Sequence, residues 1–171
     1  MPQMVVGILF IIIILMSSCF IGFYNKMLNQ RLEIENSWTH LYIQLKKRAD
    51  LILPIVEIVY GCKDFNQDVL DMLMHARYQF IEANTKAEML DADKKISSTL
   101  SQIFNISEQH PSILSDVNFM RLKHRIKTVE EKMDRCHKLY KDNVCIYNSC
   151  IRKFPNNITS TIVGIKELSY F

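Results

Sequence analysis

The sequence predicts an all-α protein: an N-terminal transmembrane helix followed by an antiparallel up-down-up-down four-helix bundle with two long and two short helices. Three observations predict it. The 171 residues include only four glycines and four prolines, far below the roughly 12% these breakers usually total. Residues 4–23 carry no charged side chain. Beyond them, apolar residues recur at alternating steps of three and four, the spacing of a helix face. The length suits one domain with a real core. A net charge of +3 on a mixed surface lacks the dense basic stripe of a nucleic-acid binder.

The elements follow in order. After a short segment, 1–3, the run Ile8-Leu9-Phe10-Ile11-Ile12-Ile13-Ile14-Leu15-Met16 has no polar face. At about 1.5 Å per residue, some 20 residues cross a hydrocarbon core of about 30 Å, so 4–23 is expected to span a bilayer. A cleaved signal peptide would place basic residues before a shorter apolar core. Lys26 and Arg31, then Lys46-Lys47-Arg48, follow the span, and no charged side chain precedes it. The positive-inside bias therefore puts the N-terminus outside and the bulk of the chain in the cytoplasm. A competing expectation reads Met16-Ser17-Ser18-Cys19 as an imperfect lipobox, with a lipid on Cys19 and the bulk outside the cytoplasm.

Residues 24–157 hold the expected bundle. The first long helix has its seam at Trp38, Tyr42, Leu45, Ala49, Ile52, Val56 and Val59, with the same frame running back through Glu35 and Arg31 to Leu28. It ends at Gly61, and Pro54 within it removes one ladder bond and frees the carbonyl of Asp50. The second seam is Val69, Leu73, Ala76, Phe80 and Ala83. Thr85 and Glu88 form a capping box that opens the third helix, with Met89, Ile96, Leu100 and Ile103 inward and a stop before His110-Pro111. The fourth helix runs from Phe119 through Leu122, Ile126, Val129, Met133, Cys136, Tyr140, Asn143, Tyr147 and Cys150 to Phe154, and is ended by Pro155.

Facing positions of antiparallel helices have a constant residue-number sum. For the first two helices this pairs Leu45 with Phe80 and Ile52 with Leu73, with the turn at Cys62 and Lys63. For the last two it pairs Ile103 with Phe119 and Ile96 with Ile126, with the turn at Pro111, and sets Asp93 against Val129. Between the long helices it brings Trp38 to Tyr140, Arg31 to Tyr147, Glu35 to Asn143 and Tyr24 to Phe154. These long helices outreach the short ones, leaving a membrane-proximal stalk as the place for self-association or a membrane partner. The tail 158–171 ends in Tyr170-Phe171 and is expected either at the lipid interface or folded back on the bundle.

The residues of this chain also resemble the LemA family. The resemblance rests on Tyr24-Asn25, Glu35-Asn36-Ser37-Trp38, the string Gln44-Leu45-Lys46-Lys47-Arg48-Ala49-Asp50-Leu51-Ile52 with Pro54, and Val56-Glu57 with Gly61. It continues through Ala76-Arg77, Glu108, Pro111, Asn118-Phe119, Tyr140, Tyr147-Asn148, Phe154-Pro155-Asn156 and Gly164. Lys141 and Ile165 depart from the family pattern. The resemblance implies a bacterial single-pass membrane protein with a helical, coiled-coil-like domain, and it brings no catalytic residues and no cofactor. Asn36, Trp38, Arg48, Asp50, Glu57, Arg77, Tyr140, Tyr147, Asn148, Phe154 and Pro155 are the motif residues taken as candidate interaction positions.

Enzymatic motifs are otherwise thin. The chain offers no Glu-x-x-His pair for a di-iron site, only Asp134-x-x-His137, which at that spacing more often decorates a solvated helix face. Cys136 and Cys150 fall on a seam while Cys145 points away, so core cysteines are favoured over a zinc cluster with His137. An interhelical ion pair is expected between Asp50 and Arg77. The function expected is a membrane-tethered scaffold or interaction protein, without small-molecule substrate, nucleic acid, cofactor or metal. The alternatives are a lipid-binding or membrane-shaping protein and, third, a metal-binding helical enzyme.

Overall fold

The structure, a computed structural model, describes residues 2–61, 65–154 and 156–168, with side chains from residue 6 onward. The expected turn at Cys62 and Lys63, the helix-ending Pro155 and the terminal Tyr170-Phe171 lie outside the described residues. Six helices form: α1 (Pro2–Tyr60), α2 (Gln67–Glu82), α3 (Lys86–Ser107), α4 (Pro111–Leu114), α5 (Val117–Arg152) and α6 (Asn156–Val163), with no strand among the described residues. The chain divides into two compact units, one of Met1–Thr39 with His137–Tyr170 and one built on His40–Cys136. Helices α1 and α5 contribute residues to both.

The apolar N-terminal stretch and the long helix expected after it are one element. Between Gly22 and Pro54 the sequence has neither glycine nor proline, so the hydrogen-bond ladder of α1 runs unbroken from the apolar stretch until Pro54 removes one bond. Every side chain described from Val6 to Gly22 is exposed, and burial begins at Phe23. From there the buried face passes through Met27, Gln30, Ile34, Trp38, Leu41, Leu45, Arg48, Ile52 and Ile55 to Val59, ten steps over 36 residues. The mean step is 3.6, the period of a straight helix. This corrects the expected seam, whose alternating threes and fours average close to 3.5 and drift off the true face. The two agree at Trp38, Leu45, Ile52 and Val59. Where they part, Leu41 and Ile55 take the deepest places beside half-buried Tyr42 and Val56, and Leu28, Arg31 and Glu35 are exposed.

In the unit built on 40–136, α2 packs along α3. Its core holds Leu45, Ile52, Ile55, Leu73, Ile96, Leu100, Ile103, Phe119 and Ile126, all essentially without solvent contact. Each such side chain stabilises the fold by about 1.5–3 kcal/mol. The helix starts are set by side chains. Asn66 Oδ1 accepts from the amide of Asp68 at 2.9 Å to open α2. Thr85 Oγ1 accepts from Glu88 N at 3.1 Å while the Glu88 carboxylate accepts from Thr85 N at 3.2 Å, the expected capping box of α3. Asp116, not anticipated, accepts from the amides of Asn118 and Phe119 at 2.7 and 3.1 Å and opens α5. Pro111 opens the extra turn α4, a position where its missing N–H costs nothing.

The Glu88 carboxyl is held below its ordinary pKa by the amides of Asn84 and Thr85. A carboxylate whose folded pKa is depressed stabilises the fold above its unfolded pKa, and that contribution disappears as pH falls through the folded value. Glu88→Gln is therefore expected to lower the thermal midpoint of the detergent-solubilised protein at neutral pH. The difference from wild type closes as the pH drops below the usual carboxylate range, as measured by circular dichroism melts.

Candidate functional site

Helix geometry puts Arg48 on the buried stripe of α1, three residues after Leu45 and four before Ile52, and its side chain is 3% exposed. A cation there must find acceptors, because an uncompensated buried charge is very costly. Its Nη2 donates to the backbone carbonyl of Asp93 at 2.8 Å and also to the Asp93 carboxylate, on α3. Nη1 reaches Glu130 of α5 at 3.4 Å. The Asp93 side chain is 13% exposed and that of Glu130 is 39% exposed, so the pair with Asp93 dominates and that with Glu130 is screened. Arg48 Nε, also buried, has no acceptor among the described residues.

The expected partner of Arg77 is corrected. Asp50 is exposed, and Arg77 Nε donates at 3.0 Å to the carbonyl of Ala49 instead. That carbonyl lies next to the one that Pro54 leaves without its helical donor, where the ladder is already interrupted. The remaining sequence candidates of this unit do not converge on it: Glu57 is exposed and no three metal-ligating side chains cluster among the described residues.

The other unit contains the second polar site. Trp38 and Tyr140 meet edge to face, with ring centroids 5.7 Å apart and planes at 62°, as the register between the long helices anticipates. Burial, reinforced by the charge of Glu35, raises the pKa of the Tyr140 hydroxyl. Burial likewise raises that of Tyr147, opposed by the nearby Arg31. Further along, the register is corrected. Asn143 donates to the carbonyl of Glu33 at 3.4 Å. Val144 is fully buried beside it, and Phe154, beyond the end of α5, is 79% exposed rather than packed on Tyr24. Asn36 is also exposed.

The buried Asn148 closes this unit. Its Oδ1 accepts from the backbone N–H of Leu168 at 3.0 Å and its Nδ2 donates to the Leu168 carbonyl at 2.9 Å. One side-chain amide thus pairs with both polar groups of a single backbone residue, as a neighbouring strand would. Arg152 adds a two-point contact to Glu167 at 2.7 and 2.6 Å, which lowers the pKa of that carboxyl. Between the two alternatives for the tail, these bonds fold residues 165–168 back along the chain. The path depends on Gly164, whose φ of +73° is the left-handed conformation. Ile165 N donates to Ser160 O at 2.9 Å and Gly164 N to Thr161 O at 3.3 Å, the two bonds of a Schellman motif that ends α6. Under the tail lies a half-open cleft of about 420 Å³, lined by Tyr24, Met27, Leu28, Arg31, Tyr147 and residues 163–168.

A sequence profile described as the LemA family matches residues 37–171. The chain belongs to the LemA family. No curated protein matches it. The LemA match starts at Ser37, so Trp38, both buried polar centres and the tail lie within it, while Asn36 and the apolar stretch before it do not. Of the motif residues, Arg48, Arg77, Trp38, Tyr140, Tyr147 and Asn148 make buried or helix-linking contacts. Asp50, Glu57 and Phe154 face solvent.

Two outcomes follow for these LemA centres. Arg48→Met, which takes the buried cation away from the Asp93 carboxylate, is expected to destabilise the protein by about 3–5 kcal/mol. The double variant with Asp93→Asn recovers a substantial part of this, as read in a denaturant double-mutant cycle. Asn148→Asp keeps the acceptor but turns a carboxylate oxygen toward the Leu168 carbonyl. Hydrogen exchange at the Leu168 amide is expected to accelerate about tenfold or more, the equivalent of one lost buried hydrogen bond of roughly 1–2 kcal/mol.

Proposed function

We propose that this LemA-family chain is a single-pass scaffold of the bacterial cell membrane, in which α1, α2, α3 and α5 form an antiparallel four-helix bundle carried on the anchor helix. The observation that supports it is the state of residues 6–22, apolar throughout apart from two serines and a cysteine, and exposed at every position. Its apolar 18-residue stretch has a mean hydropathy of 2.7 and is only 6% buried. A core helix would be covered by protein. This one has hydrocarbon as its natural surroundings.

A scaffolding role, and no catalysis, suits the two polar centres. In both, the charged and amide groups are spent on the chain's own carboxylates and backbone. Trp38 and Tyr140 bury each other, so a partner or a second copy would meet the exposed apolar positions instead, Leu28 and Leu32 on α1 or Leu139 and Ile146 on α5. The cations Lys26 and Arg31 just after the span favour a cytoplasmic bundle and an outer N-terminus.

Orientation is tested with a variant whose only cysteine is the exposed Cys145, labelled by a membrane-impermeant maleimide. The expected result is reaction only after lysis. Labelling in intact cells, where a cytosolic control stays unlabelled, overturns the orientation and puts the bulk outside the cytoplasm, the side that a lipid on Cys19 of the natural chain requires. Recovery of the chain in the soluble fraction overturns the anchor itself.

A further inference from the structure

The burial pattern of α6 is inverted. Its apolar side chains are Ile158, Ile162 and Val163, and they are 53%, 72% and 40% exposed. The side chain it buries is Ser160, at 3%, with Asn156 and Thr159 half-buried. The inward side is polar: Asn156 Nδ2 donates to the carbonyl of Cys150 on α5 at 3.1 Å, and Ser160 Oγ donates within α6 to the carbonyl of Asn157 at 3.0 Å. Ile158 and Ile162, four residues apart, share one face, and exposed Phe154 precedes the helix. Single exposed apolar residues are ordinary. A helix that turns its polar side to the protein and every apolar side chain outward has an apolar medium on that side.

The position of α6 names the medium. Residues 163–168, which continue it, share the cleft with Tyr24, Met27 and Leu28 of α1, within two helical turns of the last exposed apolar residues of the span. The polar headgroup layer extends about 5–7 Å beyond the hydrocarbon on each side, roughly the rise of α1 over its first turn after Phe23. Lys153 and Lys166 flank α6, and both are exposed, as is Lys26 on α1. Cations beside an outward apolar face are the composition of a helix lying in the plane of an anionic membrane surface.

We infer that α6 is an interfacial helix: Ile158, Ile162 and Val163 enter the headgroup–acyl boundary of the bilayer that α1 spans, with Lys153 and Lys166 on anionic headgroups. The chain then holds the membrane at two points, a span and a surface helix, and Asn148 ties the segment following α6 to α5. This rests on the membrane reading of α1.

The test uses the full chain in vesicles of phosphatidylcholine and phosphatidylglycerol, with tryptophan placed by Ile158→Trp, Ile162→Trp or Ile12→Trp and buried Trp38 as the common background. Lipids brominated near the top of the acyl chain are expected to quench the emission added at 158 and 162 by about half or more, as for a side chain 5–10 Å deep. Emission typical of water and unquenched at 158 and 162, with Ile12→Trp quenched, overturns the inference and leaves the span standing. A blue-shifted but unquenched signal at 158 and 162 also overturns it, since that face is then covered by protein such as a second copy. If Ile12→Trp is itself unquenched, the span reading falls and the surface helix with it.

Discussion

The angular register of α1 governs the other buried contacts of this chain. Once a single helix carries residues 2–60, each position after Phe23 is assigned inward or outward by a rotation of about 100° per residue. Apolar residues were available at most inward positions, but the stripe also passes through Arg48. The cation is therefore inside because the helix has no other place for it, and the fold must provide acceptors there. Asp93 supplies both its carboxylate and its backbone carbonyl, so α3 is tied to α1 at one axial level. A core of Ile and Leu alone permits sliding by a helical turn, whereas a buried ion pair does not, which is the registry use best attested for such groups.

The same economy of partners shapes the other unit. Asn148 is inward on α5 and carries a donor and an acceptor that both need satisfaction. The returning backbone at Leu168 meets both at once, which fixes where the tail lies. Ser160 and Asn156 then form the inward side of α6, and its isoleucines are left outward. The tail and α6 are thus both tied to α5 by hydrogen bonds, from Asn148, Arg152 and Asn156.

Aromatic contacts at the junction of helices act differently from these polar ones. The Trp38–Tyr140 pair buries two large amphipathic rings edge to face, a geometry that contributes about 0.5–1.5 kcal/mol beyond area alone. Tyr140 and Tyr147 both titrate above the ordinary tyrosine range because burial penalises the phenolate.

The sequence by itself determined the helical stretches of α1, α2, α3 and α5 but not α4 or α6, together with the capping box at Thr85 and Glu88, the apolar N-terminal stretch, the seams of α2 and α3, and the meeting of Trp38 with Tyr140. These depend on neighbours three or four residues away or on a repeat sustained over several turns, and both are written locally. It also named Arg48, Arg77 and Asn148 as notable, but with the wrong partner for Arg77 and none for Asn148. Only the tertiary structure decided that Arg48 meets Asp93, that Arg77 meets a backbone carbonyl, and that Leu168 returns to Asn148. Those contacts join residues 20 to 45 apart, and three of the acceptors are main-chain carbonyls that every residue possesses, so composition cannot single them out. A small error of period did the rest: a step of 3.5 in place of 3.6 turns a stripe by about 20° per heptad, enough over the length of α1 to exchange Glu35 for Ile34 in the core.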